Sequence, residues 1–336
     1  MTGASAAIDA ALPDRLQARC RPTLLAIAAV LSSAACDAQN FVQDFVQDKV
    51  TAFENSDFIF QRGVSNAPFI PIAYLGVRSY GEAQIDNTLT GRTLEYEQQA
   101  ASAATGVPFL LGKRDAVVVG GYLSSSRFET RDEAIGDFRV DTVGLPVGWA
   151  RQVNPQWQAA AFVMPLGHRS TQQDSDWTVQ TMGGVFARYT ANDKLWWAFG
   201  LFGDDSPNDS YVIPYLGASW VINPRWTISA LMPWPAVLYA PTQDWLFRLG
   251  ASPSTASWSL QPEDNSVAVS LDAWDFGLSI ERRVYKNLWL EARSGVGGLR
   301  GLRLDSNSGT LEAPDISVGA SGFFALSLTV RPGLLP

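Results

Sequence analysis

Ile316-Ser317-Val318-Gly319-Ala320-Ser321-Gly322-Phe323-Phe324-Ala325-Leu326-Ser327-Leu328-Thr329-Val330 precedes a short tail, and its reading decides the fold. Ile316, Val318, Ala320, Phe324, Leu326, Leu328 and Val330 fall on one side of a period of two. Ser317, Gly319, Ser321, Ala325, Ser327 and Thr329 fall on the other, with Phe323 the one misfit. Side chains two apart share a face of a strand, so one face of this segment is hydrocarbon and the other is small and mostly polar. A strand between lipid and a polar interior has this profile.

Working back from there, the alternation extends to Phe69. Soluble sandwiches alternate as well, so the connections have to separate the two cases. Tight turns recur at Val153-Asn154-Pro155-Gln156-Trp157, Thr190-Ala191-Asn192-Asp193-Lys194-Leu195-Trp196, Ile222-Asn223-Pro224-Arg225-Trp226, Ala240-Pro241-Thr242-Gln243-Asp244-Trp245 and Val284-Tyr285-Lys286-Asn287-Leu288-Trp289. Asn, Asp and Pro supply the turn conformations. The Trp behind each turn suits a water–lipid boundary, where an amphipathic ring is half wet, and this makes Trp157, Trp196, Trp226, Trp245 and Trp289 candidate interface residues. Between these turns lie longer polar connections, at 81–91, 130–137, 170–176, 203–210, 261–265 and 305–314, which read as loops of the opposite end.

The two sets of connections divide the chain into strands near 69–81, 92–106, 115–129, 138–152, 156–169, 176–190, 194–203, 210–222, 225–231, 235–240, 244–260, 266–283, 288–304 and 315–331. The expected fold is all-β, a transmembrane antiparallel up-and-down barrel of about 12 to 14 strands. The lower number applies if the two arms around Met232-Pro233-Trp234-Pro235, shorter than the roughly nine residues a tilted spanning strand needs, do not cross.

Composition agrees. Apolar residues are 46% of the chain and charged residues 17%, yet nothing after residue 35 approaches the run of roughly 18 apolar residues that a spanning helix needs. Twelve Trp fit an interfacial belt. A net charge of -8 without a basic block excludes a nucleic-acid partner, because a phosphate-binding surface needs clustered Lys and Arg.

Arg15, Arg19 and Arg21, the apolar run Leu24 to Leu31 and the small residues up to Ala38 have the layout of a secretory signal. Removal of 1–38 takes Cys20 and Cys36 with it, leaving a mature chain without disulfide or thiolate chemistry. A lipoprotein cut before Cys36 is the alternative, although Ser33 stands where such signals usually carry Leu. Residues 39–68 then form a periplasmic leader, in which the repeat Phe41-Val42-Gln43-Asp44, Phe45-Val46-Gln47-Asp48 predicts a short amphipathic helix over 40–54. An undocked leader is expected, with a plug or a rim helix as alternatives. The barrel occupies 69–331 and a tail 332–336.

With its turn–Trp units, the strand start Leu288-Trp289-Leu290-Glu291-Ala292 and the final Gly322-Phe323-Phe324-Ala325-Leu326-Ser327-Leu328-Thr329-Val330, the chain resembles Gram-negative outer-membrane β-barrel families of unknown function, including transporter-like barrels. The resemblance is architectural and covers roughly 69–331. It implies an outer-membrane location and contact with lipid and with the barrel-assembly machinery; the expected function is a passive channel or transporter for small solutes, with a lipid hydrolase or a purely structural barrel as alternatives. It brings no catalytic motif and no cofactor, and it departs at the end, where Arg331-Pro332-Gly333-Leu334-Leu335-Pro336 follows the last strand in place of a terminal aromatic residue.

Two constellations carry possible chemistry. A three-residue turn at Tyr285-Lys286-Asn287 sets Val284 against Leu288, and counting back from it pairs Arg283 with Trp289, Glu281 with Glu291 and Ser279 with Arg293, these six on one face, with Ile280 against Ala292 and Leu278 against Ser294 on the other. Glu281, Arg283, Glu291 and Arg293 are therefore expected to line the pore, either as a stiffening ion network or as a selective constriction. This register turns Trp289 inward and Arg282 toward lipid. Glu95 and Glu97 add acidic lining or sit at the rim. The single histidine, in Gly167-His168-Arg169-Ser170, shares a strand face with Ser170 and resembles the His-x-Ser pairing of outer-membrane lipid hydrolases, without an assignable third member. A zinc site is not expected from one His and no mature Cys, whereas carboxylates such as Asp204 and Asp205 leave calcium open.

Overall fold

The computed structural model describes residues 48–331 except 50, 54, 60–63, 88–91, 131–136, 172–176, 207–209, 233, 254–257, 261–266, 272–273, 298–301, 307–315 and 319–320. The expected signal, most of the predicted helix and the tail 332–336 lie outside the described residues.

The strands are β1 (Ala73–Asn87), β2 (Arg92–Leu111), β3 (Asp115–Thr130), β4 (Phe138–Gly144), β5 (Val147–Gln152), β6 (Trp157–Ser170), β7 (Thr178–Asn192), β8 (Leu195–Asp205), β9 (Ser210–Asn223) and β10 (Trp226–Met232). They continue as β11 (Ala236–Thr242), β12 (Trp245–Pro253), β13 (Trp258–Leu260), β14 (Val267–Leu271), β15 (Trp274–Tyr285), β16 (Leu288–Gly297), β17 (Leu302–Ser306), β18 (Ile316–Val318) and β19 (Ser321–Val330). Each wall strand pairs antiparallel with its neighbour, and β1 pairs with β2 on one edge and β19 on the other. The ladder is closed. With β4 and β5 taken as one strand and β18 as the outward continuation of β19, the barrel has 14 strands. Closure leaves no unpaired edge, the condition for a sheet in hydrocarbon.

Proline explains the break between β4 and β5. Pro146 has no N–H to give, but Leu145 N still donates to Pro165 O at 3.1 Å and Gly120 N to Pro146 O at 2.8 Å. The pairing with β3 resumes in the same register, from Tyr122 opposite Gly144 to Val119 opposite Val147, so the wall bends without opening. The two short arms, β10 and β11, do take wall positions, held between β9 and β12, and the count is therefore the larger of the two expected. Three expected strands are too long. β12 leaves the wall at Pro253, β15 joins it at Trp274 and β16 leaves it at Gly297, and chain beyond those points forms a separate three-stranded sheet, β13-β14-β17.

The inside and outside of the wall follow from parity. Val77, Leu123, Val163, Val185, Leu201, Leu216, Leu249, Leu278, Leu290 and Leu326 are all exposed. Tyr80, Gln98, Ser126, His168, Gln180, Ser279 and Glu281 are buried on the opposite face. A continuous exposed belt of Val and Leu is untenable in water at this extent and is what lipid requires.

The described part of the leader is docked, contrary to expectation. Residues 51–53 form a helical turn, and residues 55–59 and 64–72 lie at the mouth at the tight-turn end. Asp57 N donates to Lys113 O at 3.3 Å, Ile59 N to Gln152 Oε1 at 3.0 Å, Asn66 N to Pro224 O at 2.7 Å and Asn66 Nδ2 to Ala240 O at 3.2 Å. Lys113 and Gln152 belong to β2–β6 and Pro224 and Ala240 to β9–β11, so the described residues 55–59 and 64–72, here called the strap, are tied to two separate arcs of the ring. Ala67 packs on the inward cluster of Ala240, Leu246 and Trp289. Sequence reasoning missed this because the contacts use backbone groups and small residues, which have no periodic signature.

Candidate functional site in the lumen

The lumen has two unlike walls. The first, on β12, β15, β16, β19 and β1, is charged. The expected register is present: Arg283 faces Trp289, Glu281 faces Glu291, Ser279 faces Arg293, Ile280 faces Ala292 and Leu278 faces Ser294. The turn itself differs. Tyr285 pairs with Leu288 around a two-residue turn in which Lys286 has φ of 40°, and a bulge at Val284 absorbs the difference.

The ion pairs are only partly those expected. Glu291 accepts from Arg293 at 2.6 Å and from Ser327 Oγ at 2.9 Å, and Arg293 Nη1 also reaches Ser252 Oγ at 3.0 Å. Arg283 does not flank Glu281; it pairs with Asp244 at the rim. Glu281 is paired with Arg331, just past the last strand, whose guanidinium also donates to Phe69 O of the strap and lies 5.6 Å from the Trp289 ring centre. Further along, Asp275, fully buried, accepts from Arg78 at 2.5 Å and from Tyr80 Oη at 3.1 Å. The misfit Phe323 points inward and meets both Tyr80 and Arg78, with centres 5.7 Å away. Arg331 and Asp275 were not legible as partners because their sequence separations from Glu281 and Arg78 obey no local rule.

The second wall, on β6 to β9, is aromatic. Phe162 and Phe186 stack at 6.0 Å and 8°, Phe186 meets Tyr215 edge-on at 5.3 Å, and Tyr215 lies 6.4 Å from Trp234. Gly184 and Gly200 make room for this. A Cβ on Gly200 would meet Phe186 Cδ1 at 2.5 Å, and one on Gly184 would meet Phe186 Cε2 at 2.7 Å, so the ring lies flat over both.

His168 is wholly buried, on the inward face. Its Nδ1 is 2.8 Å from Thr142 Oγ1 and its Nε2 2.8 Å from Gln180 Oε1, and Gln180 Nε2 donates at 2.7 Å to both Asp204 oxygens. Since the amide nitrogen faces Asp204, its oxygen faces the imidazole, and His168 is the Nε2–H tautomer with Nδ1 accepting from Thr142. Both ring nitrogens are committed to partners other than Ser170. The pair also faces the lumen, away from a lipid ester on the outside.

Of the five candidate interface residues, Trp157 and Trp226 are exposed and Trp245 lies on the same outward face, beneath Arg282 at 5.1 Å. Trp196 and Trp289 point inward. In their strands a Leu precedes the Trp, and one residue of offset reverses the face. Trp197 and Trp220, 41% and 50% exposed, are outward residues that the turn pattern did not select. Glu95 and Glu97 are not lumenal; Tyr96 and Gln98 take the inward positions between and beside them. Among the described residues no group of three His, Cys, Asp or Glu side chains could hold a metal ion.

Comparison with known proteins gives a structural likeness alone. No protein family and no curated protein matches the chain. Solved structures do. A FadL homologue of Pseudomonas aeruginosa is similar at 14% identity and TM-score 0.42, over 77% of this chain and 90% of that one. An outer membrane channel of Pseudomonas putida is similar at 11% identity and TM-score 0.42, over 80% of this chain and 99% of that one. The translocator domain of the autotransporter NalP of Neisseria meningitidis is similar at 9% identity and TM-score 0.39, over 89% and 99%. The chain thus resembles barrels of the outer membrane, and the fold itself rests on the closed ladder described above.

Proposed function

We propose that the protein is a passive outer-membrane channel for small solutes. The observation that supports this reading is the pairing of an aromatic strip with a charged wall across one lumen. About eight strands give an interior that side chains just fill, so a ring of fourteen has width to spare. A barrel with a purely structural or adhesive task has no use for a row of flat rings cleared by glycines on its inner face. Solutes cross between the two walls and pass the strap at the tight-turn end. In this reading residues 1–38 direct export and are removed, and the barrel-assembly machinery inserts the mature chain.

The test is reconstitution of the mature chain in vesicles, with swelling in small sugars, amino acids and short alcohols measured beside planar-bilayer conductance. Swelling or conductance above that of protein-free membranes is expected. Their absence, both for the mature chain and for a variant lacking residues 49–66, would leave a structural barrel.

A further inference from the structure

We infer that the tight-turn end of the lumen contains a binding site for a small, uncharged aromatic hydrocarbon, in a half-open cavity between the strap and the inward faces of β2, β3, β5 and β6. A cavity of about 420 Å³ lies there, bounded by Phe53 and Phe69 on the strap side and by Phe162 on the wall. Each of its fourteen lining residues carries a hydrocarbon side chain or none. A charged or hydrogen-bonding ligand would lose its water and find no side-chain partner, so the chemistry selects an apolar one.

Three inward glycines, Gly106, Gly120 and Gly148, keep the space open. None has a positive φ, so backbone conformation does not demand them. Gly120 is needed for close approach, because a Cβ there would lie 2.3 Å from Thr105 O. Gly148 is different: a Cβ there would make only ordinary contacts, the nearest at 3.6 Å to Ala161 O. The wall would accept a side chain at 148 and has none, and the volume that a side chain would take is left to the cavity. The size is at the lower end for small-molecule pockets, which suits one or two rings and not a long chain. Phe162 also belongs to the strip with Phe186 and Tyr215, so a flat ligand leaving the cavity meets further ring faces. Its role as a station for a permeating solute rests on the channel reading; its existence as a site does not.

The experiment measures toluene uptake by the mature chain in amphipol, against Gly148→Leu in the same amphipol so that partition into the carrier cancels. Saturable uptake by the unaltered chain is expected, with at least a tenfold loss in Gly148→Leu and no fall in melting temperature, because Leu fills apolar space. Should Gly148→Leu fail to fold, Ala150→Met narrows the same cavity. Benzoate is expected not to compete, since its carboxylate has no partner. A bromobenzene soak is expected to give an anomalous bromine peak beside Phe162. Equal uptake by both chains would overturn the proposal. Tighter binding of decanoate than of toluene would overturn the assignment to a ring and point to an acyl chain. Uptake seen only after removal of residues 39–47 would show that the chain's own segment fills the cavity, which also overturns it. Toluene binding without vesicle swelling would leave the site standing and remove the channel reading; swelling without binding would do the reverse.

Discussion

At Glu281 a carboxylate sits almost fully inside the wall, with Glu291 opposite it and the guanidinium of Arg331 paired directly with it. Removing one member of a buried pair leaves an uncompensated charge, a loss of roughly 3–5 kcal/mol, whereas removing both charges together costs far less. Arg331→Met is therefore expected to lower the urea midpoint of the folded barrel markedly, and Glu281→Gln combined with Arg331→Met to recover most of it. The midpoint is read from the gel shift between folded and boiled protein. Equal losses in the single and double variants would mean that Arg331 matters for its contacts with Phe69 O and Trp289, independent of charge. At this scale the sequence was informative wherever parity alone decides. The facing of Glu281, Glu291 and Arg293 followed from counting back from a turn, and even a misjudged turn length did no harm because the bulge at Val284 restored the register. Pairing partners were not legible, since a guanidinium reaches across strands and past strand ends.

The elements follow from their turns. Asn154 Oδ1 accepts from the N–H of Gln156 and Trp157, Asn192 Oδ1 from Lys194 and Leu195, and Asn223 Oδ1 from Arg225 and Trp226, at 2.8 to 3.1 Å. One side chain thus satisfies two donors that the turn would leave bare, which is why the Asn-containing units marked strand ends so well. The strap has no comparable signal: Asn66 uses its backbone and its amide on turns far away in sequence. Its position makes a prediction. Deleting residues 49–66 removes chain from the mouth while leaving every wall strand, so folding is expected to persist and single-channel conductance to rise. Asn66→Ala, which loses only the side-chain bond to Ala240 O, is expected to give brief openings to the higher level. Unchanged conductance in the deletion would place the narrowest point elsewhere in the lumen.

For the whole molecule, the decisive matter is which face meets lipid, and the tryptophans can report it. Trp157, Trp197, Trp220 and Trp226 stand exposed on the outer wall, while Trp289 is 3% exposed and Trp196 is turned inward beside Arg188, 5.0 Å from its ring centre. Bromine on a lipid acyl chain quenches indole fluorescence over short range only, so an outward ring near the interface is quenched and a lumenal ring is shielded by the wall. In vesicles of lipid brominated near the headgroup, Trp157→Phe and Trp226→Phe are expected to lower the quenched fraction of the emission. Trp196→Phe and Trp289→Phe are expected to raise it, because they delete emitters that lipid does not reach. The signs are opposite, so a general loss of structure cannot imitate the result. Had all five turn tryptophans formed one belt, as their spacing suggests, every one of the four changes tested would lower the quenched fraction. That outcome would reverse the inward face of β8 and β16, and with it the charged wall, whereas no quenching in any variant would place the chain outside the bilayer and remove the reason for its exposed belt of Val and Leu.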